Sequence, residues 1–344
     1  MTHIPSAVAL VSGGLDSVLA AYLVKRQGIE VYGIHFLSIF CGYTPKEGTR
    51  FGPRRLAESL GVPLEVRNFS KELLSLVKSP DHGYGSRLNP CIDCKIHMLT
   101  RAKEYMNDIH ASYVVTGEVV GQRPMSQRTQ IMKHIEREAG LERLILRPLS
   151  AKCLPVTIPE EKGWVSRDEL MGLVGRGRRR QIRMAKQELH MKDIPTPAGG
   201  CLLTDPAFSL RLDDLLAEGG DPTLHDVQLL KSGRHFRLDD DTKAVVGRDE
   251  ADNTRIVTHA QPEDLLIELE DVTGPTTLLR GNTSRENQEI AAALTARYSN
   301  KVAPGETAAA RVFRPRRPED KTIISVAPAT QETIDEFILA PMKI

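Results

Sequence analysis

The chain has 344 residues, 40% of them hydrophobic and 26% charged, with a formal net charge of +1. That length supplies material for two or three domains, and the near-neutral balance excludes a global basic field, so any nucleic-acid surface must be a local patch. No run of about 18 apolar residues exists to span a membrane, Met1-Thr2-His3-Ile4-Pro5 lacks a signal-peptide core, and five unevenly spaced cysteines fit metal or redox chemistry in a reducing cytoplasm better than a disulfide framework.

Val8-Ala9-Leu10-Val11 reads as a short buried strand. Ser12-Gly13-Gly14 breaks its period, and Ser17 to Val24 reads as the first turns of a helix. A strand, a glycine turn and a helix N-terminus make an anion site, because backbone N–H groups converge there and the helix dipole favours negative charge. Ser12 and Ser17 add hydroxyls at the two ends of the turn. The Gly-Lys-Ser/Thr ending of the Walker loop is missing, and so is the dinucleotide Gly-x-Gly-x-x-Gly pattern.

Residues 5–120 alternate strand and helix in the manner of a parallel α/β sheet. The second strand is expected over Ile29–Phe36, a helix over Phe51–Leu60 with Gly61 near its C-cap, and a third strand over Leu64–Phe69. Ser70 is expected to cap a helix over Lys71–Val77, followed by a loop over 78–90, a helix to Met106 and a strand over Ser112–Thr116. The polar, glycine-punctuated run from Thr116 to Gln127 then lies at the end of a strand, where open α/β sheets bind ligands. Trp164 to Arg183 is helical in tendency and carries Arg176, Arg178, Arg179, Arg180 and Arg183, either a solvated face or a contact for phosphates. Residues 192–207 are rich in proline and glycine. From about residue 221 short strands dominate, with Gly233–Leu238 and Lys243–Arg248 flanking an Asp-rich turn. Arg311, Arg314, Arg316, Arg317 and Lys321 offer a further phosphate-contacting face.

Cys91 and Cys94 open the predicted helix after Asn89-Pro90, where a helix N-terminus favours thiolate. Cys201 reaches them only if the proline- and glycine-rich stretch folds back over the ligand edge of the sheet, which Gly199 and Gly200 allow. Three such thiolates can hold a [4Fe–4S] cluster with one iron free of protein ligands, or act as a persulfide carrier with its resolving partner. Zinc would want a fourth ligand, for which His97 is the candidate. Cys41 and Cys153 have no motif around them.

Ser12-Gly13-Gly14-Leu15-Asp16-Ser17 resembles the signature of the PP-loop ATP pyrophosphatases at every fixed position. The resemblance implies that Ser12, Gly13, Gly14, Asp16 and Ser17 hold the phosphates of ATP, with Mg²⁺ bridging them, while the α-phosphate passes to a substrate oxygen. Thr116-Gly117-Glu118-Val119-Val120-Gly121-Gln122, continuing to Ser126-Gln127, resembles a segment of the tRNA 4-thiouridine synthetases and adds Gly117, Glu118 and Gln122 to the nucleotide site. Arg147-Pro148-Leu149 resembles that family's Arg-Pro-Leu segment. The Gly233-Arg234-x-Phe236-Arg237 and Val245-Val246-Gly247-Arg248 pattern, with Asn253 and an Ala-rich helix ending in Tyr298-Ser299, resembles the RNA-binding domain of the NFACT proteins.

These resemblances imply a parallel-sheet PP-loop domain over 1–190, a cysteine-containing linker over 191–220 that completes the site, and a smaller α+β RNA-binding-like domain over 221–344. The expected function is an ATP-dependent tRNA sulfurtransferase. With Asp16 in the catalytic loop, a uridine carbonyl is adenylated and sulfide on a cluster held by Cys91, Cys94 and Cys201 displaces AMP, giving 4-thiouridine, with 2-thiouridine open. Some PP-loop thiolation enzymes carry such a cluster on a Cys-x-x-Cys and one distant Cys; others use a persulfide. Bacterial 4-thiouridine synthetases place a THUMP domain before the PP-loop and often a rhodanese domain after it, whereas this sequence opens at the loop. That departure points away from a rhodanese-type relay and leaves RNA binding to the C-terminal part. The alternatives are a cysteine persulfide relay, a PP-loop amidotransferase or ligase acting on a small carboxylate, and a non-catalytic RNA-binding factor. Expected partners are tRNA and a sulfide or persulfide donor, with no membrane and a homodimer open.

Overall fold

Ala7, Val8 and Ala9 are almost fully buried because β1 (Ser6–Leu10) is the middle strand of a parallel sheet covered on both faces. The computed structural model describes residues 5–41, 52–192, 194, 200–303 and 305–340. The chain divides into two units, Met1–Thr204 and Asp205–Ile344. In the first, β1, β2 (Glu30–Leu37), β3 (Leu64–Asn68), β4 (Tyr113–Val115) and β5 (Ile145–Leu146) pair in the order β3-β2-β1-β4-β5, all parallel. The order reverses at β1 and β4, so the loops after these two strands flank the crevice where such sheets take ligands.

The helices of this unit are α1 (Leu15–Lys25), α2 (Pro53–Ser59), α3 (Ser70–Lys78), α4 (Cys91–Asp108), α5 (Thr129–Glu138), α6 (Ile158–Glu161) and α7 (Arg179–Gln187). Helix α1 is apolar almost all round and is buried accordingly. Leu15, Leu19 and Leu23 pack with Met184 and Ala185 of α7, while Ala20, Ala21 and Val24 pack with Val31 of β2 and Val115 of β4. The expected strands and helices up to residue 116 are present within a few residues of their predicted ends; Phe51 lies outside the described residues.

Two local expectations are corrected. Ser70 is the first residue of α3, not its cap; its amide and hydroxyl both donate to Asn68 Oδ1, at 2.9 and 2.7 Å. The stretch from Trp164 to Arg183 is not one helix. Gly172, Gly175 and Gly177 weaken a helix there, and Met171 and Leu173 instead donate backbone bonds to Pro148 and Leu149 (both 2.8 Å), leaving only α7 helical after a short 3-10 turn at Arg167–Glu169.

The second unit contains α8 (Pro206–Ala217), α9 (Leu224–Leu229), β6 (Arg234–Asp239), β7 (Thr242–Val246), α10 (Glu250–His259), β8 (Leu265–Leu269), β9 (Thr277–Arg280), α11 (Arg285–Arg297), β10 (Ala308–Arg314), β11 (Arg317–Val326) and α12 (Gln331–Phe337). The strands form one antiparallel sheet in the order β11-β10-β8-β9-β7-β6. Ser284 caps α11, accepting from Asn287 N–H, and small residues Ala291, Ala292 and Ala296 let that helix lie close on Phe236, Val246 and Leu279. Gly247 is required by contact: a Cβ there would sit 2.0 Å from Asn253 Oδ1, which accepts from Thr276 N–H at 3.0 Å. Of the expected basic face, Arg311 pairs with Glu268 at 2.7 Å and Lys321 with Glu270, so those charges are neutralised within the sheet. Arg314, Arg316 and Arg317 at the β10–β11 hairpin stay exposed. No helix among the described residues is long and apolar enough to cross a membrane.

Candidate nucleotide and cysteine site

The chain leaves β1 at Val11 and enters α1 at Leu15 through Ser12-Gly13-Gly14, with Gly13 in the left-handed region at φ +81°. No side chain caps α1, so its first N–H groups open onto the loop. The two serines fasten the loop across its base. Ser12 N–H and hydroxyl each lie 3.2 Å from Ser17 Oγ, and Ser17 donates to the Gly14 carbonyl at 2.8 Å. Ser12 is exposed, whereas Ser17 is buried and its hydroxyl hydrogen is committed to the loop.

The second loop locks onto the first. Gln122 Nε2 donates to Asp16 Oδ2 at 3.0 Å, leaving Asp16 Oδ1 buried without a partner. Gly117 is where β4 ends, and a Cβ there would lie 2.5 Å from the Asp16 carbonyl carbon and the Ser17 nitrogen. Gln127 closes the loop on itself, its carbonyl accepting from Gly121 N–H at 2.7 Å and its side-chain oxygen from Arg123 N–H at 3.1 Å.

Glu118 points away from this loop into a buried charge cluster. Its carboxylate takes Lys95 Nζ at 3.1 Å, Arg147 Nε at 3.0 Å and the Thr116 hydroxyl at 3.1 Å, and Arg147 also pairs with Glu136. Burial would raise the Glu118 pKa, but Lys95 and Arg147 outweigh it and hold the acid at about 2. Three sequence motifs therefore meet at one carboxylate: the loop after β4, the Arg147-Pro148-Leu149 segment, and the α4 helix that carries Cys91 and Cys94. Breaking a buried pair of this kind costs about 3–5 kcal/mol, so Glu118→Gln should lose close to that in urea unfolding. Because the folded pKa is depressed, the stabilisation is complete above the ordinary carboxylate value of 4.5 and is lost as pH falls from there through about 2. The Gln variant should lack that acid limb, and an unchanged acid profile would remove Glu118 from the account.

Cys91 is the first residue of α4, and Cys94 N–H donates to the Pro90 carbonyl at 2.9 Å. The chain around Cys201 does return to the ligand edge of the sheet. Leu202 N–H donates to the Phe40 carbonyl at 2.9 Å just beyond β2, and Cys201 pairs with Cys41 in an isolated antiparallel bridge. Cys41, unmarked by any motif, thus faces Cys201 across this bridge; Cys153 sits exposed in a separate 3-10 turn. Residues 195–199, including Gly199, lie outside the described residues. Burial, then the charges of Cys201 and Cys91, push the Cys94 thiol far up. Burial also pushes Cys201 up, to about 11, opposed by the Leu203 N–H at its sulfur and by Arg123 of the loop after β4.

Among the described residues no three cysteine, histidine or carboxylate side chains converge closely enough to hold a metal ion. Cys91, Cys94 and Cys201 nevertheless lie near enough for the charges of Cys91 and Cys201 to act on Cys94, and that of Cys91 on Cys201. His97 stacks on Phe69 with ring centroids 6.0 Å apart, and burial lowers its pKa. Between the two helix cysteines Asp93 is buried and accepts from His82 Nδ1 at 2.8 Å, and His82 Nε2 lies 2.9 Å from His134 Nε2.

Residues 4–152 match the family model described as thiamine biosynthesis protein (ThiI), and residues 233–338 match the NFACT protein RNA binding domain. The first part of the chain is thus similar to a ThiI-type PP-loop domain and the second to an NFACT-type domain. The chain is 26% identical over 221 residues to the tRNA-specific 2-thiouridylase MnmA of Marinobacter nauticus, covering 55% of each chain. It is 33% identical over 124 residues to the MnmA of Geobacter metallireducens, covering 30% of this chain and 34% of that one. To a probable tRNA sulfurtransferase of Alkaliphilus metalliredigens it is 30% identical over 152 residues, covering 42% and 36%. It thus spans 55% of the first of these relatives and 34–36% of the other two. A solved 4-thiouridine synthetase in complex with RNA and ATP overlaps at TM-score 0.38 and 20% identity, over 59% of this chain and 46% of that one.

Proposed function

We propose that this protein is an ATP-dependent tRNA sulfurtransferase that carries sulfur as a cysteine persulfide. The observation that carries the reading is the lock between the Ser12–Ser17 loop and the loop after β4, through Gln122–Asp16 and the Gly117 contact, on the same sheet edge as Cys201. Uncapped N–H groups at α1 suit the ATP phosphates, and the orphaned Asp16 Oδ1 suits a Mg²⁺ ion riding on them. A uridine carbonyl oxygen attacks the α-phosphate, releasing pyrophosphate and leaving an adenylated base. A persulfide on Cys201 then displaces AMP. Cys201 is the preferred carrier because its segment returns to the ligand edge of the sheet, where Leu202 N–H bonds to the Phe40 carbonyl beyond β2. Either 4-thiouridine or 2-thiouridine fits this chemistry; relatives bear names of both kinds of activity.

The test is pyrophosphate release from ATP with and without tRNA, followed by mass analysis of the nucleosides. The reading expects tRNA-dependent release and one thiolated uridine. Release that depends on a small carboxylate instead would make the protein a ligase.

For RNA contact, α7 supplies a face beside the site. Gly175 N–H donates to the Val120 carbonyl at 2.7 Å, and Arg176, Arg179, Arg180 and Arg183 follow it, exposed. At the other end of the packed pair, Arg26 after α1 meets Glu188 after α7 at 2.8 Å. The arginines therefore lie toward the nucleotide end of α1. Changing Arg176, Arg179 and Arg180 to Gln should flatten the slope of log affinity for tRNA against log salt by roughly two to three units. Removing Asp205–Ile344 should weaken tRNA binding separately, with ATP binding kept. An unaltered slope in the arginine variant would take α7 out of the RNA contact.

A further inference from the structure

We infer that the second unit holds a pocket for one unstacked nucleobase, formed between α8, α9 and the face of β6, β7 and β9 that carries His235, Arg237, Lys243 and Arg280. The inference rests on the reading of this unit as RNA-contacting and gives that contact a site. Strand pairing sets one wall. Arg237 faces Lys243 and Lys243 faces Arg280, so three cations stand side by side across three strands. Like charges directly opposite one another are destabilising, and carboxylates from α8, α9 and the turn before β8 offset them. Asp214 takes Arg237 at 2.7 Å and Lys243 at 2.6 Å, and Glu218 reaches both. Asp226 and Asp264 each take Arg280 at 2.7 Å.

One row further along, His235 faces Val245, and Val245 faces Leu278. His235 is only 1% exposed. Its Nε2 lies 2.9 Å from the Ser232 carbonyl and so carries the ring hydrogen, which makes Nδ1 an acceptor. That Nδ1 is buried and has no partner. Burial, then the charges of Arg211 and Lys243, keep the ring neutral, so Nδ1 stays an acceptor.

These groups enclose a cavity of about 230 Å³, with Leu215, Leu229 and Leu278 as its apolar lining. Sites for drug-sized ligands begin at about 300 Å³, so this one admits a single small ring system. Its occupant is uncharged. An anion would meet Glu218, Asp221, Asp226 and Asp241, and a cation would meet Arg237, Lys243 and Arg280. The occupant donates an N–H to His235 Nδ1 and lays an apolar face on the leucines, with further polar edge atoms for the charged row. A nucleobase combines an apolar face with N–H groups and acceptors round its edge.

Binding measurements on the full chain test this with three kinds of probe. They are a short single-stranded RNA of mixed sequence, an abasic ribose-phosphate chain of the same length, and the four nucleoside monophosphates in turn. Wild type should bind the RNA at least about tenfold more tightly than the abasic chain, within the range that a stacked base contributes. Leu215→Trp fills the cavity and alters no charge. It should erase that difference while the slope of log affinity against log salt stays as in wild type, because the phosphate contacts are kept. His235→Phe keeps a ring, removes the acceptor and should shrink the difference too. It also strips the Ser232 carbonyl of its donor, so Leu215→Trp decides where that variant does not fold. A monophosphate bound as tightly as the RNA, and lost in Leu215→Trp, names a free nucleotide as the source of the base; tighter RNA binding names RNA. A wild type that binds RNA and abasic chain equally, or a Leu215→Trp chain that keeps the difference, overturns the pocket. A monophosphate captured by wild type but not by Leu215→Trp, with no RNA bound, keeps the pocket and overturns the RNA reading.

Discussion

Replacing Gly117 by Ala will abolish ATP turnover while changing no chemical group in the site. The added Cβ would fall 2.5 Å from the Asp16 carbonyl carbon and the Ser17 nitrogen, and 2.6 Å from the Asp16 carbonyl oxygen. These are backbone atoms at the entry of α1, so no side-chain rotation relieves the clash, and the loop after β4 must back away from the phosphate loop. Displacements of about 1 Å in a positioned site cost about a hundredfold in rate, and overpacking costs about 1–3 kcal/mol of stability. The expected result is pyrophosphate release down at least about a hundredfold with a lowered urea midpoint. Gly220→Ala, where an added Cβ meets nothing within 4 Å, is the control and should stay within about 0.5 kcal/mol of wild type. A fully active Gly117→Ala chain would mean that the two loops need not touch for ATP to react.

Cys201→Ser separates the two halves of the reaction. Serine keeps the size of the side chain but cannot carry sulfane sulfur, so thiolated product should fall by at least about a thousandfold. Pyrophosphate release should persist, because the proposed adenylation site lies on the Ser12–Ser17 loop and Gln122, which bond to each other and not to Cys201. The same experiment distinguishes a relay from a cluster. In a relay, iron-free wild-type protein thiolates tRNA from a persulfide donor. A three-thiolate cluster would instead make turnover depend on iron, with Cys91→Ser, Cys94→Ser and Cys201→Ser losing that iron alike. Iron-dependent turnover would return the sulfur to a cluster and remove it from Cys201.

Local chemistry made the phosphate loop legible in the sequence. Four apolar residues, a glycine turn and a helix with apolar residues on every side dictate strand, loop and buried helix without help from distant parts of the chain. The antiparallel pair β6–β7 and the capped helix α11 were readable for the same reason, since a turn and an N-cap are set by neighbours in sequence. The motif after β4 marked Glu118 as a nucleotide ligand by resemblance; only packing reveals that its carboxylate is held by Lys95 and Arg147, 23 and 29 residues away in sequence. The charge run over 176–183 announced neither its exposed face nor its place beside Val120, because both follow from how α7 packs on α1.

The sequence by itself determined the parallel sheet, the strand, glycine turn and helix around Ser12–Ser17, and the pair Cys91 and Cys94 at a helix start. These follow from periodicity, turn residues and spacing, which act over a few residues. The tertiary structure alone decided which cysteine faces which. Cys41 and Cys201 are 160 residues apart, with no motif around Cys41, and become neighbours only because the segment before α8 returns to the end of β2 and pairs there by a backbone hydrogen bond. The same burial that closes the site raises the thiols of Cys94 and Cys201, a property of the folded environment that no spacing of residues can carry.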